Sequence, residues 1–355
     1  MGAPAEFFAP AEGISYFDSA TYGLAPVPTV QAMTAAIEAW QRGTAHWIDD
    51  FDVVAERARA SFAALVGVAV TDVALVPAAS VGVGTVAASL TASDRVIVPD
   101  DEFTSLLFPL LVAEERGTVV SRVAFDAVRD EIDDATTLVA LSLVQMQTGR
   151  VAVIESILDR AAEVGARVLL DATHGLPFVG MGGLMQRVDF VVCAAYKHLL
   201  CPRGVAFFVV RREHHGGLPA WNANWRATDG RYDRFFGGAL TLAGDAARFD
   251  VSAAWLPWIG AATSLDLLCE WSLGGALAGS TQMAARIAEG LDVEWGGSSI
   301  VCAPISDADA ALAALDAGRV KASVRGDSIR LSSHVYTTDR DLDRVVDVLG
   351  PFVAS

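Results

Sequence analysis

The feature that most constrains the fold is the regular alternation of short apolar runs with helical patterns. Strand-like runs occur at Val73–Val76, Arg95–Val98, Thr118–Val123 and Leu138–Val144, and two more lead up to Asp171 and to Lys197. A further run over Gly204–Arg211 returns after Lys197. Helical patterns occupy Thr29–Trp40, Val53–Val66 and Ile154–Val164. Strands that are apolar on both faces, separated by helices, build a mostly parallel sheet covered on both sides. The expected class is therefore α/β. Residues 218–250 break the alternation, being rich in Trp, Asn, Gly and Arg, and read as a loop region lining the site or a dimer seam. A helix over Ala253–Leu273 leads to a smaller C-terminal α/β unit. The expected division is an N-terminal arm, 1–20, joining the small domain, a large domain over 21–252 and a small domain over 253–355.

Within that frame Lys197 stands out. The chain has only two lysines, Lys197 and Lys321, against 24 arginines. Arginine stays protonated at any working pH, whereas lysine can lose its proton and act as a nucleophile. Lys197 follows the apolar run Phe190-Val191-Val192-Cys193-Ala194-Ala195 and precedes a turn, so its amine is expected to be partly desolvated. Desolvation lowers an amine's pKa and favours attack on a carbonyl. Asp171 ends a second buried run 26 positions upstream. Reactive groups gather at the carboxyl ends of parallel strands. A lysine and an acid on two such ends suit pyridoxal 5'-phosphate (PLP) chemistry, the acid keeping the pyridine nitrogen protonated.

A third element is the strand-turn-helix Val73-Ala74-Leu75-Val76-Pro77-Ala78-Ala79-Ser80-Val81-Gly82-Val83-Gly84. Backbone N–H groups of Ala79, Ser80 and Val81, with the Ser80 hydroxyl, are placed to bind phosphate at a helix start, and the glycines allow close backbone approach. A tight turn with no ligand is the alternative for this stretch.

Five segments then occur in the order of the class V aminotransferase-fold enzymes. They are Tyr16-Phe17-Asp18-Ser19-Ala20, the Ser80 turn, Asp171-Ala172-Thr173-His174, Tyr196-Lys197-His198-Leu199-Leu200-Cys201-Pro202-Arg203-Gly204, and Ile329-Arg330-Leu331-Ser332-Ser333-His334. The chain resembles the branch holding cysteine desulfurases, selenocysteine lyases, isopenicillin N epimerase-like proteins and kynureninases. The resemblance implies PLP fold type I, with Lys197 as the Schiff-base lysine and Asp171 as the pyridine partner. It implies that His174 lies near the ring hydroxyl or the imine, that Phe103 stacks on the ring and that Tyr196 replaces a phosphate-binding histidine. Gln145 or Gln147 would supply a polar contact to the ring oxygen, the family's asparagine aligning best with Met146. Arg330 would grip the substrate α-carboxylate, for which a planar guanidinium is the natural bidentate partner. The segment Arg248-Phe249-Asp250-Val251-Ser252 would reach a neighbouring subunit's phosphate through Ser252, or else cap a helix through Asp250 or Ser252.

Two departures bear on the reaction. The serine of the family's Ser-x-His-Lys pattern is absent from Ala194-Ala195-Tyr196-Lys197. The segment Val320–Ser328 holds no cysteine, while Cys302 lies 28 positions before Arg330 in an apolar run and reads as core. A desulfurase persulfide route is thereby disfavoured. The expected activity is a lyase acting on an α-amino acid through a quinonoid, possibly by C–S cleavage. An aminotransferase or an epimerase is the alternative, and a PLP-fold protein without catalysis is the most distant one.

The remaining expectations are those of a soluble cytoplasmic homodimer with shared sites, an amino-acid substrate and no metal. Hydrophobic residues make up 53% of the chain, enough for a sizeable core, yet no apolar stretch reaches a membrane span. The net charge of −17 argues against nonspecific nucleic-acid binding. Four cysteines without metal spacing fit unpaired thiols in a reducing compartment.

Overall fold

The computed structural model describes residues 3–354 apart from 234. In chain order its main elements are β1 (Ser15–Tyr16), α1 (Val27–Arg42), α2 (Val53–Val66), β2 (Val73–Val76), α3 (Ala79–Ala88), β3 (Arg95–Pro99), α4 (Thr104–Glu114), β4 (Val119–Val123) and α5 (Val128–Glu131). They continue with β5 (Leu138–Ser142), α6 (Ile154–Val164), β6 (Arg167–Asp171), β7 (Phe190–Ala194), β8 (Ala206–Val210), α7 (Trp255–Leu273) and α8 (Ala278–Leu291). The chain closes with β9 (Ile300–Pro304), α9 (Ala308–Ala317), β10 (Val320–Lys321), β11 (Ser323–Arg325), β12 (Ser328–Ser332) and α10 (Asp339–Leu349).

Seven strands form one sheet in the order β2-β8-β7-β6-β5-β3-β4. The central pairs are parallel, and only β8 runs against its neighbours. It can do so because a short turn, rather than a crossover helix, joins it to β7. The expected mostly parallel α/β architecture is what the chain adopts. Strands β5 to β8 are buried along their whole length or nearly so, which accounts for their unbroken apolar runs. Helix α3 lies very close to the sheet. A Cβ on Gly82 would come within 2.7 Å of Val192 and 2.9 Å of Phe208, so this glycine serves helix-on-sheet packing. Helix α4 escaped the sequence reading because Pro109 sits inside it and apolar residues surround its axis.

A second, antiparallel sheet has the order β11-β12-β9, and β1 pairs with β10 beside it. Phe17 packs with Leu331, Ile329 and Val301 in a small separate core. The N-terminal segment thus joins the C-terminal sheet, further fixed by an Asp18–Ser332 bridge.

Among its described residues the 218–250 segment has three short 3-10 turns, and none of those residues lines the cleft described below. Buried ion pairs fasten it to α2 and to the turn before it. Arg226 pairs with Asp52 and with Glu56 at 2.6 Å, and Arg59 pairs with Asp250 at 2.5 Å. Asp250 therefore caps no helix N-terminus, standing instead at the C-terminal end of the short turn Ala246–Phe249. It accepts from Leu75 N–H as well, and the residue at the N-terminal boundary of α7 is Ala254. Ser252 does not cap that helix either, and it is exposed.

Candidate active site

The site lies at the carboxyl ends of β5, β6 and β7. Parallel register sets Ser142 beside Asp171 and Asp171 beside Val192. Three residues after β7 the chain delivers Lys197 to a tight turn. Leu200 adopts φ 58 there, a left-handed conformation that a leucine holds only under constraint. Leu200 N–H donates to Lys197 O, Cys201 N–H donates to Ala195 O, and Ser264 Oγ donates to Leu200 O. Gly23 closes the turn from the other side. Its N–H donates to Tyr196 O at 3.0 Å, and a Cβ there would lie 2.3 Å from Lys197 O.

Lys197 is 6% exposed. Its Nζ lies 3.0 Å from His174 Nε2 and 5.2 Å from the centre of the Phe103 ring. Burial pulls the amine's pKa down to about 8, and the charges of Arg330 and Arg325 push the same way against the attraction of Asp171. Burial and the Lys197 charge hold His174 well below its ordinary value. His174 Nε2 also lies 3.2 Å from Ala20 O. A single proton on Nε2 can serve both neighbours only when the lysine amine is unprotonated and offers its lone pair.

Asp171 is buried, and burial raises its pKa. Thr173 N–H donates to its Oδ1 at 2.9 Å, and the Thr173 hydroxyl receives Ala194 N–H at 3.0 Å, tying β6 to β7. Glu102 is a nearby carboxylate whose place the sequence did not reveal. It accepts from Ser142 N–H at 2.6 Å and from Ser142 Oγ at 2.7 Å. Burial, with some repulsion from Asp171, pushes its pKa up to about 7.

Ala79, Phe103, Asp171, His174, Tyr196 and Lys197 line one cleft. Arg203, which no motif singled out, joins them and lies 5.0 Å from the centre of the Tyr196 ring. Ser80 instead faces a neighbouring hollow beyond α3, so its hydroxyl is outside the cleft. Val81 N–H already donates to Ala78 O, which leaves the first-turn N–H groups of Ala79 and Ser80 for an anion. Gln145 is committed elsewhere. Its Oε1 accepts from the N–H groups of Gln147 and Thr148, and its Nε2 donates to Asp101 at 2.7 Å. Gln147 is exposed, and neither glutamine lines the cleft. That loop works through its backbone, with Met146 O receiving Arg330 Nη1 at 3.0 Å.

Arg330 sits on β12, is 2% exposed and is not among the residues lining the cleft. Nη2 donates to Thr21 Oγ1 at 2.7 Å and to Ser323 Oγ at 3.3 Å, while Nε has no partner. Burial and the nearby Arg325 charge lower its pKa to about 10. Cys302 is not core. Antiparallel register sets it directly across from Arg330, on the face of the small sheet opposite Val301, Ala303 and Leu331. It is half-buried, and burial raises its thiol pKa. Among the described residues all four cysteines are free and no group of three or more His, Cys, Asp or Glu is arranged to hold a metal.

A mostly parallel sheet that offers a desolvated lysine and a buried aspartate at adjacent strand ends, with an aromatic ring over the lysine, defines a PLP-dependent enzyme of fold type I. The chain belongs to the class-V aminotransferase family, whose model matches residues 15–294. It is similar to the uncharacterized aminotransferase YcbU of Bacillus subtilis, 27% identical over 83% of each chain. It is also similar to a probable cysteine desulfurase of Methanothermobacter thermautotrophicus, 26% identical over 57% of this chain and only 54% of that relative. Among solved structures it superposes on the apo cysteine desulfurase of Thermococcus onnurineus NA1 with a TM-score of 0.85, at 18% identity, covering 99% and 98% of the two chains. The cystine C–S lyase C-DES in complex with cysteine persulfide gives a TM-score of 0.86 at 18% identity, covering 97% and 99%. No helix among the described residues is long and apolar enough to cross a membrane.

Proposed function

We propose that the protein is a PLP-dependent lyase that cleaves a β-substituent, a C–S bond in the first instance, from an α-amino acid. The observation that carries the reading is the buried Lys197 amine, lowered to about 8 and facing a neutral His174, on the strand next to Asp171. The residues present fit the cofactor. Lys197 would hold it covalently, Phe103 would lie against its ring and the unpaired Asp171 carboxylate would face the ring nitrogen. The free N–H groups at the start of α3 would take its phosphate. When bound, the cofactor supplies an electron sink for the substrate α-carbon.

The chain's own residues do the rest. Asp171, held by Thr173, keeps a proton at the ring nitrogen. His174 orients the Lys197 amine by sharing its Nε2 proton. Lys197, once released, is the base at the α-carbon, and a pKa near 8 leaves a usable share of free amine at neutral pH. Arg330 would bind the α-carboxylate. Ser252 is exposed, as a contact to a neighbouring subunit needs, and the exposed Trp221 and Phe236 further support a homodimer.

Transamination is the second reading, supported by YcbU, the aminotransferase that aligns over most of the chain. A panel of amino acids including cystine and cysteine conjugates separates the two. Release of pyruvate and ammonia with one thiol from a cysteine conjugate, or one persulfide from cystine, marks the lyase, and keto-acid exchange marks the transaminase. Lys197→Ala should abolish both turnover and the visible absorption of bound cofactor. Asp171→Asn should keep the cofactor and lose most turnover. Wild-type turnover by Lys197→Ala would remove the reading.

A further inference from the structure

The small-sheet wall carries a second arginine with a defined place. On β11, Ser323 and Arg325 share a face because they are two residues apart. Antiparallel register sets Ser323 directly across from Arg330, so both arginines lie on that same face. Their guanidinium groups converge on one oxygen. Thr21 Oγ1 receives Arg330 Nη2 at 2.7 Å and Arg325 Nη2 at 3.3 Å. Thr21 is exposed, so this meeting point opens outward while the Arg330 side chain behind it is buried.

No carboxylate lies within 4.0 Å of either guanidinium among the described residues. Asp18 offsets part of the Arg330 charge from beyond 4.0 Å and accepts from Ser323 Oγ at 2.8 Å, and Asp327 lies in the exposed turn beyond Arg325. The chain holds 43 acidic residues against 26 basic ones, so acids are plentiful elsewhere. Two cations held this close repel one another, and burial of one raises the cost. Purely structural arginines would be expected to recruit an acid, as Arg59 and Arg226 do. An arginine fork binds one carboxylate in bidentate fashion, so two forks accommodate two anionic groups. An α-amino acid with an uncharged side chain brings only one.

We infer that Arg325 is a specificity residue, and that the substrate is an α-amino acid whose side chain carries its own anionic group, bound by Arg325 while Arg330 takes the α-carboxylate. This rests on the PLP reading above.

The test measures binding to the PLP-loaded enzyme by the change in cofactor absorbance on titration with L-aspartate, L-asparagine, L-glutamate and L-glutamine. The wild-type enzyme should bind at least one acid roughly tenfold or more tighter than its amide, as expected for a charge-assisted pair. Arg325→Gln should collapse that ratio to near one, and Arg325→Lys should restore part of it. Arg330→Gln should weaken acid and amide by the same factor. A wild-type ratio near one, or equal loss for acid and amide in Arg325→Gln, would overturn the proposal. No absorbance change with any of the four would likewise overturn the proposal, whereas a protein that shows no imine absorbance after incubation with PLP would sink the PLP reading itself.

Discussion

The two most deeply buried arginines among the described residues, Arg226 and Arg330, are 0% and 2% exposed and do opposite things. Arg226 sits in a closed network with Asp52, Glu56 and Asp250, backed by Arg59, Arg231 and the hydroxyl of Tyr232. Its charge is matched inside the chain, and the centre of the Trp225 ring lies 5.8 Å from its guanidinium. Arg330 has only a carbonyl and two hydroxyls as partners, with a second arginine beside it. Equal burial therefore says nothing about role. A buried cation matched by acids fastens the fold, whereas one left with neutral partners costs stability and is kept for a ligand.

The largest effect expected from this contrast is on stability. Arg226→Met should destabilise the cofactor-loaded protein by about 3–5 kcal/mol in chemical denaturation, because it strands buried carboxylates. A loss under about 1 kcal/mol would mean that the network is ornamental and the contrast false.

Acid titration separates the two regions next. His334 follows β12 four residues after Arg330, its Nδ1 receiving Val335 N–H and its Nε2 facing His198 O at 2.9 Å. This arrangement satisfies the neutral ring, and burial lowers its pKa to about 4. The folded value lies below the unfolded one of about 6.5, so the unfolded chain takes up the proton first. Stability should be fully present above pH ~6.5 and fall as the pH drops toward 4, by roughly 3 kcal/mol from this group. His334→Gln should flatten that slope. Glu56, pushed down to about 2 mainly by Arg59 against the cost of burial, keeps its charge across the same window. Burial already raises the Asp250 carboxyl, so an acid stranded by Arg226→Met can take up a proton, and the penalty should be no larger at pH 5 than at pH 7; a penalty that grows toward pH 5 would put the titration in the wrong region.

A smaller effect is expected at Arg330. Arg330→Met should cost about 1.5–3 kcal/mol in kcat/KM for α-amino acids, roughly tenfold to more than a hundredfold, without lowering stability. Arg330→Lys should recover only part, since an ammonium cannot present the planar fork. A melting temperature that falls along with kcat/KM would make Arg330 a structural residue like Arg226.

Much of the fold was legible in the chain. The segments Val53–Val66, Val73–Val76 and Ile154–Val164 form as read, because their apolar period and their flanking residues agree. The α6 helix ends at Gly165, which adopts a left-handed φ of 75 and returns its N–H to Ala161 O and Ala162 O. Lys197 and Asp171 were legible as strand-end residues, since a run of buried strand points to its own end. Gln145, Cys302 and Asp250 were not. Each is decided by a partner distant in sequence, as with Asp250 and Arg59, 191 positions apart. Arg325 and Thr21 lie 304 positions apart and meet only because the N-terminal segment joins the small sheet.

By itself, then, the sequence determined the order of strands and helices, the class of chemistry and the residue that would carry it. Those follow from local periodicity and from a lysine set where arginine is otherwise the rule. The tertiary structure decided which charges are matched and which are left open. It also decided that Lys197 sits near pKa 8 rather than at its ordinary value, because desolvation and Coulomb pairing depend on neighbours in space that no spacing along the chain records.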